Sequence, residues 1–235
     1  MRILSDDKLI QRNVTISKYA TGGGLALLIG AFILNIYALS KPEDVQLIAY
    51  VFGAFILGFT LTNIGTFFSN RWGRRPDLGL AEALKTLDER YTLYNYRLGA
   101  SHVLVGPNGV TVLLPKYQLG VVAYLNDKWV HPTGRRGLAG MFNNDGLGNP
   151  AAEAAGEVEA LNNFLKRRAP EVNVAPQATI VFMSPRAEVS AKDSPVAALH
   201  FKQLKDYVKR QPKVAPPLMP VFAELEGKLG LEPST

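Results

Sequence analysis

Two long uncharged stretches, Tyr19–Ser40 and Val45–Asn70, constrain this chain more than any other feature. Both are dominated by apolar and small residues such as Leu, Ile, Ala, Gly and Phe, and neither carries the polar stripe that a helix on a soluble domain turns to water. At ~1.5 Å per residue the first makes a helix of ~30 Å, the thickness of a bilayer's hydrocarbon core, and the second is equally able to span. Only Lys41, Pro42, Glu43 and Asp44 separate them, so the pattern predicts a tight antiparallel transmembrane hairpin with both ends on one side. A cleavable signal peptide fits the first stretch poorly. Its apolar run exceeds the ~7–15 residues of a signal core, and Asp6 and Asp7 would fall in a region that is normally basic.

Flanking charge orients the hairpin. Arg2, Lys8, Arg12 and Lys18 precede the first span, and Arg71, Arg74 and Arg75 follow the second, while the turn holds one lysine against two acids. The positive-inside bias places both termini in the cytoplasm. Tyr19 and Trp72 then fall at the inner interface and Tyr37 and Tyr50 at the outer one, where amphipathic rings are favoured. Small residues recur every fourth position as Gly22, Ala26 and Gly30 and as Ala54, Gly58 and Thr62. The short turn favours packing of these two stripes on each other over contacts between copies of the chain. Asn35 and Asn63 are the polar residues expected to bond between the helices, and neither span carries a charge that would suggest transport.

Residues 71–235 hold nearly all of the +6 net charge and suit one small domain. The chain has no cysteine and three histidines without ligand spacing, which excludes disulfides and thiolate metal sites and leaves little for an imidazole cage. Leu78, Leu80, Ala81, Leu84 and Leu87 recur at helical spacing after Asp77, a candidate N-cap. Tyr91–Leu98 reads as a strand. His102–Val105 and Val110–Leu114 flank Gly106-Pro107-Asn108-Gly109, the strongest hairpin signal in the sequence, with glycine and asparagine supplying positive φ. Gly120–Leu125 and Lys128–Val130 flank a turn at Asn126-Asp127. The glycine-rich run 131–149 reads as a loop, and 150–168 as a helix opened by Pro150 and closed by Lys166-Arg167-Arg168. A strand at 178–183, one more near 195–199 and a helix over 201–210 follow. The Pro-rich run 211–220 reads as an extended linker, and 221–231 as a short tail helix. The expected organisation is an N-terminal segment 1–18, spans 19–40 and 45–70, a soluble domain 77–210 and a linker with tail helix 211–235. The fold class is α/β, with the transmembrane hairpin followed by a small α/β domain. No P-loop, nucleophile elbow or dinucleotide fingerprint is present.

The run Val103-Leu-Val-Gly-Pro-Asn-Gly-Val-Thr-Val112, followed by Lys116 and Gly120 and by the Asn149-Pro150 that opens the long helix, resembles the nuclease-related domain (NERD) family. The resemblance covers about 77–210 and implies a restriction-endonuclease-like fold, in which a helix Glu, a strand Asp and a strand Glu-x-Lys converge on a divalent cation. Such chemistry needs hard oxygens to hold Mg²⁺, which acidifies a bound water, and a lysine beside the attacking water. By position the helix Glu falls on Glu82 and the lysine on Lys116. The strand acids are replaced by Ser101 and Leu114, Pro115 stands between Leu114 and Lys116, and a helix position usually glutamine is Glu153. Ser and Leu cannot supply two anionic ligands, so Glu82 and Lys116 are expected to be vestigial and the domain to need no cofactor. Mg²⁺ enters only if Glu89 or Asp127 supplies relocated ligands. Otherwise Glu82 is a solvent-facing helix residue and Lys116 a surface lysine.

Arg135, Arg136, Lys166, Arg167 and Arg168 are candidates to bind phosphate or lipid headgroups, although cations in the last turn of a helix are also favoured by its dipole. Three functions compete: a non-hydrolytic binding or scaffold module at the cytoplasmic face, a membrane-anchored metal-dependent nuclease, and an accessory subunit of a larger membrane complex. Membrane lipid is the implied partner, with nucleic acid, other membrane proteins and a second copy of the chain left open.

Overall fold

The computed structural model describes residues 1–132, 146–172, 174–214 and 218–230. The chain divides into two units. One is Asp7–Pro76, and the other joins Met1–Asp6 to Asp77–Thr235.

The first unit is a hairpin of α1 (Asp7–Ala38) and α2 (Val45–Phe68), closed by a π-helical turn at Ser69–Gly73. At 32 and 24 residues these helices are long and apolar enough to cross a membrane. Asp44 caps α2 by accepting from the Leu47 amide at 3.0 Å. Ile29, Phe32 and Ile33 on α1 and Phe52, Ile56 and Phe59 on α2 are each more than half exposed, so the faces turned away from the seam are apolar.

The seam differs from the expected stripes. On α1 it runs through Ser17, Gly24, Ala31 and Ala38, and on α2 through Val51, Gly58 and Gly65, all spaced by seven residues. Such a period is what two helices crossing at a small angle require. Gly24 is obligatory there, because a Cβ would lie 2.5 Å from Thr62 Oγ1 and 2.8 Å from the Gly58 carbonyl. Gly22, Ala26 and Gly30 face outward, and nothing lies within 4 Å of a Cβ built on either glycine. On α2, Gly58 and Thr62 do meet α1. Asn63 does not bond across the pair: its Nδ2 donates to the Phe59 carbonyl of its own helix at 2.8 Å. The interhelical bond is instead Ser17 Oγ to the Gly65 carbonyl at 3.2 Å.

The second unit is a six-stranded mixed sheet ordered β1-β2-β3-β4-β7-β9, with a smaller sheet β6-β5-β8. Its elements are β1 (Arg2–Ser5), α3 (Pro76–Leu84), β2 (Thr92–Leu98), β3 (Ala100–Gly106), β4 (Gly109–Lys116), β5 (Gly120–Leu125), β6 (Lys128–Val130), α4 (Pro150–Arg168), β7 (Gln177–Phe182), β8 (Ala187–Ser190), β9 (Ala197–His200), α5 (Phe201–Arg210) and α6 (Met219–Leu229). β2, β3 and β4 form an antiparallel meander. β7 then lies parallel to β4 and β9 parallel to β7. The edge strand β1 pairs in parallel with β2, Arg2 opposite Thr92 and Ser5 opposite Asn95.

Alternation along the strands gives the sheet two apolar faces. Val103, Val105, Val110 and Val112 pack with Leu161 and Leu165 of α4 and Phe222 and Leu225 of α6. Leu93, Leu104 and Leu113 pack with Leu80 and Leu84 of α3 and Leu204 and Val208 of α5. Tail helix α6 is therefore part of the domain core, which extends the domain past the expected boundary at 210 and uses the apolar face of that helix. β1 likewise takes residues 2–5 out of the expected N-terminal segment and into the sheet.

Local signals explain most elements, with two corrections. In the β3–β4 turn only Gly109 has positive φ (107°); Gly106 and Asn108 do not. Gly106 is instead required by close approach, since a Cβ there would lie 2.3 Å from Cδ1 of the Tyr91 ring. Asn108 works through its side chain, accepting from Tyr91 Oη at 2.5 Å and donating to the Gln211 carbonyl. Helix α3 begins at Pro76, so Asp77 lies in its first turn and not at the cap. The β5–β6 turn is as expected of a two-residue hairpin, with φ of 49° at Asn126 and 58° at Asp127. Asn149 caps α4, accepting from the Ala152 amide at 3.2 Å ahead of Pro150. His200 caps α5. Its Nε2–H donates to the Ser184 carbonyl (3.0 Å), which leaves Nδ1 to accept from the Lys202 amide.

Candidate functional site

Strand β4 ends on Lys116 and helix α4 begins opposite it. Pairing of β3 with β4 runs only to Val112, so Pro115, which has no amide to donate, is tolerated where β4 continues along β7 alone. Lys116 is on the α4 face. Its Nζ donates to both carboxylate oxygens of Glu153 at 2.7 Å each and to the Leu147 carbonyl at 3.3 Å. The lysine side chain is 12% exposed and the glutamate 46%, so the pair is partly shielded from water. One turn on, Glu157 accepts from the Ser101 amide at 2.6 Å and from Ser101 Oγ at 2.9 Å. Glu153 and Glu157, four apart on one helix face, thus engage Lys116 and Ser101, two of the three strand positions to which the resemblance pointed. Leu114 packs into an apolar cluster with Val122, Ile180 and Phe182.

Glu82 is not brought to this place. It belongs to α3, on the opposite face of the sheet, and its exposed carboxylate pairs with Lys85 at 2.5 Å. Glu89 is exposed after α3, and Asp127 is exposed in the β5–β6 turn. Around Lys116 the acidic and hydroxyl oxygens among the described residues are engaged within the protein. Both oxygens of Glu153 face an ammonium, both oxygens of Glu157 hold Ser101, and Leu114 offers no donor. Among the described residues no three of His, Cys, Asp and Glu are grouped to hold a metal ion.

Sequence reasoning missed a buried polar cluster on the first strands. His102 Nδ1 lies 2.8 Å from Asn95 Oδ1, Asn95 Nδ2 donates to Ser5 Oγ at 2.9 Å, and Arg97 Nη2 donates to the Ser5 carbonyl at 2.6 Å. Asn95 Oδ1 can only accept, so His102 carries a proton on Nδ1. The register of β2 against β3 shifts between Asn95 and Leu98, and Tyr96 within that bulge has φ of 59°, a left-handed conformation rare for an aromatic residue. The signal in the sequence was an asparagine in the middle of an aromatic strand, followed by Gly99.

The basic candidates are only partly described. Arg135 and Arg136 lie outside the described residues. Lys166, Arg167 and Arg168 are exposed in the last turn of α4, where the helix dipole favours cations, and Arg167 Nε donates to the Asn163 carbonyl at 3.1 Å. Arg168 lines an open cleft of about 340 Å³ with Asp6, Tyr96, Arg97, Phe164 and Lys228. Phe164, Arg167 and Arg168 also border a second hollow of about 400 Å³. Lys228 is engaged by Glu171 at 2.7 Å and Glu224 at 3.1 Å; the bond to Glu171, then that to Glu224, raises its pKa, and the same lysine lowers that of Glu171. Compared with known proteins, the chain matches no family model, no curated protein and no solved structure.

Proposed function

We propose that this chain is an integral membrane protein with two spans and both termini cytoplasmic, whose soluble unit is a nuclease-related fold that serves as a non-hydrolytic binding or scaffold module. The observation that carries the reading is the state of the strand positions: Lys116 is held by Glu153, Ser101 by Glu157, and Leu114 is in apolar packing. A lysine bound to a carboxylate through both its oxygens is poorly placed to assist an attacking water, and among the described residues the next acid on the same helix face, Glu157, is bonded to Ser101. The order of elements supports the fold assignment: helix, three-stranded meander, helix, and a strand parallel to the third.

Two features support the topology. The outward faces of α1 and α2 are apolar, which water would penalise and lipid would not. Further, β1 and β2 pair in one sheet although α1 and α2 lie between them in sequence. A chain that leaves the sheet at Asp6 and returns at Asp77 must cross a bilayer an even number of times, and a two-span hairpin meets that condition. The basic flanks support a cytoplasmic position for the domain.

The test uses the full chain in lipid nanodiscs, because a fragment starting at Arg71 would lack β1. Binding to duplex and single-stranded DNA is measured across a salt series with Mg²⁺, with Mn²⁺ and with chelator, while cleavage is monitored. Salt-dependent binding without cleavage supports a nucleic-acid module, the slope of log K against log salt counting phosphate contacts. Metal-dependent cleavage abolished by Lys116→Ala refutes the non-hydrolytic reading. Absence of binding at low salt removes nucleic acid and leaves the scaffold role.

A further inference from the structure

The far end of α4 presents a different chemistry from its start. Arg168 lies fifteen residues beyond Glu153, ~22 Å along the helix at ~1.5 Å per residue, so its cleft is separate from the Lys116 site. Two arginines from distant parts of the chain, Arg97 on β2 and Arg168 on α4, line that cleft together with Lys228 of α6. Lys228 is compensated by Glu171 and Glu224. The arginines are not: among the described residues Arg168 has no ion-pair partner, and Arg97 gives one bond to the Ser5 carbonyl and meets no carboxylate. Among the described residues, Asp6 is the one acid on the wall.

The helix dipole accounts for Arg168 at the end of α4. It does not account for Arg97, which reaches the same cleft from a strand. That strand carries an energetic cost at this point. Tyr96 has φ of 59° inside the bulge, a conformation costly for an aromatic residue, while Gly99 takes φ of 81° without strain where a Cβ would meet Phe164 at 2.7 Å. A bulge re-aims the side chains around it, and strained backbone that persists in a fold clusters at ligand sites. Tyr96, Phe164 and Leu229 line the cleft beside the two arginines and give it an apolar part.

We infer that this cleft binds a phosphate group, held by the guanidinium groups of Arg97 and Arg168, with Tyr96 and Phe164 flanking the organic part of the ligand. Planar guanidinium donors match phosphate oxygens in charge and geometry, and two arginines in one cleft without an ion-pair partner among the described residues gain most from a dianion. The phosphate comes from a soluble phosphorylated compound or from a lipid headgroup. The inference rests on the reading of the domain as a binding module and names its ligand class.

The test titrates inorganic phosphate and glycerol 3-phosphate into the full chain in phosphatidylcholine nanodiscs, by calorimetry and ³¹P line broadening. Arg168→Gln, an exposed site that leaves the Arg97–Ser5 bond intact, weakens binding about tenfold, and Arg97→Gln with Arg168→Gln abolishes it. Lys202→Gln with Lys205→Gln on α5 removes as much charge elsewhere and leaves binding unchanged. Repeating the titration in discs containing phosphatidic acid separates the sources. Weaker apparent phosphate binding in the unmodified chain alone assigns the cleft to a headgroup; unchanged binding assigns it to a soluble phosphate. No binding of either probe, or equal loss in the α5 control, overturns the inference. Because cleavage of DNA is read separately, failure here leaves the non-hydrolytic reading standing.

Discussion

Removal of one carboxylate, Glu226, should loosen both ends of the chain from the domain. Glu226 sits on α6 with its side chain 9% exposed; it accepts from Tyr94 Oη at 2.5 Å and from Arg2 Nη2 at 2.6 Å, so one group ties the tail helix to β2 and to β1. Glu226→Ala leaves the Tyr94 hydroxyl without its acceptor inside the core, a loss of ~1–3 kcal/mol. The arginine is 40% exposed, and solvent screening limits the lost ion pair to ~0.5–1 kcal/mol. The two terms sum to ~1.5–4 kcal/mol, and the middle of that range, ~2–3 kcal/mol, is about a thirtyfold to 150-fold rise in the opening equilibrium of α6. Hydrogen exchange on the full chain in detergent micelles reads this at the amides of 219–229 and of 2–5. In a Tyr94→Phe background the same substitution should cost ~1–2 kcal/mol less, since no hydroxyl is left unpaired. Exchange at both segments unchanged within about twofold, where a thirtyfold rise is expected, would refute the reasoning that Glu226 joins them.

Three further outcomes are expected. Burial, and then its bond to Glu226, raises the pKa of the Tyr94 hydroxyl above the usual phenol value, so its contribution to stability is complete below pH ~10 and is lost as pH rises beyond it; urea midpoints of the unmodified chain should fall above that pH more steeply than those of Tyr94→Phe, and parallel curves would count against it. Gly24→Leu must push against Thr62 and the Gly58 carbonyl and should destabilise the hairpin by ~1–3 kcal/mol, whereas Gly22→Leu, which meets open space, should not; thermal unfolding in detergent distinguishes them. Finally, the chain has no cysteine, so single replacements report topology without background: an impermeant maleimide added outside intact cells should label Glu43→Cys in the turn and not Lys209→Cys, and the reverse pattern would invert the proposed orientation.

The two long apolar helices, the Gly-Pro-Asn-Gly hairpin, the capped helix 150–168 and the α5 helix are legible in the sequence because each is dictated within a few residues. An uncharged run of membrane thickness, a proline preset for a turn and an asparagine able to cap are properties of neighbours in the chain. Tertiary structure decided what depends on distant partners. The seam of the helix pair follows a seven-residue period because crossing geometry, not the abundance of glycine, chooses the face that is buried, and so it runs through Ser17 and Gly24 while Gly22, Ala26 and Gly30 point away. Strand β1 is four residues with weak patterning of its own and gains its hydrogen bonds from residues ninety positions later. The tail helix becomes core only where Tyr94 and Phe222 meet. Candidate site residues illustrate the same division. Their chemical types can be read one by one, but that Lys116 would face Glu153, that Glu82 would lie across the sheet, and that Arg97 would join Arg168 follow from strand alternation and helix placement. Those are set by the burial of two opposite apolar faces of a single sheet.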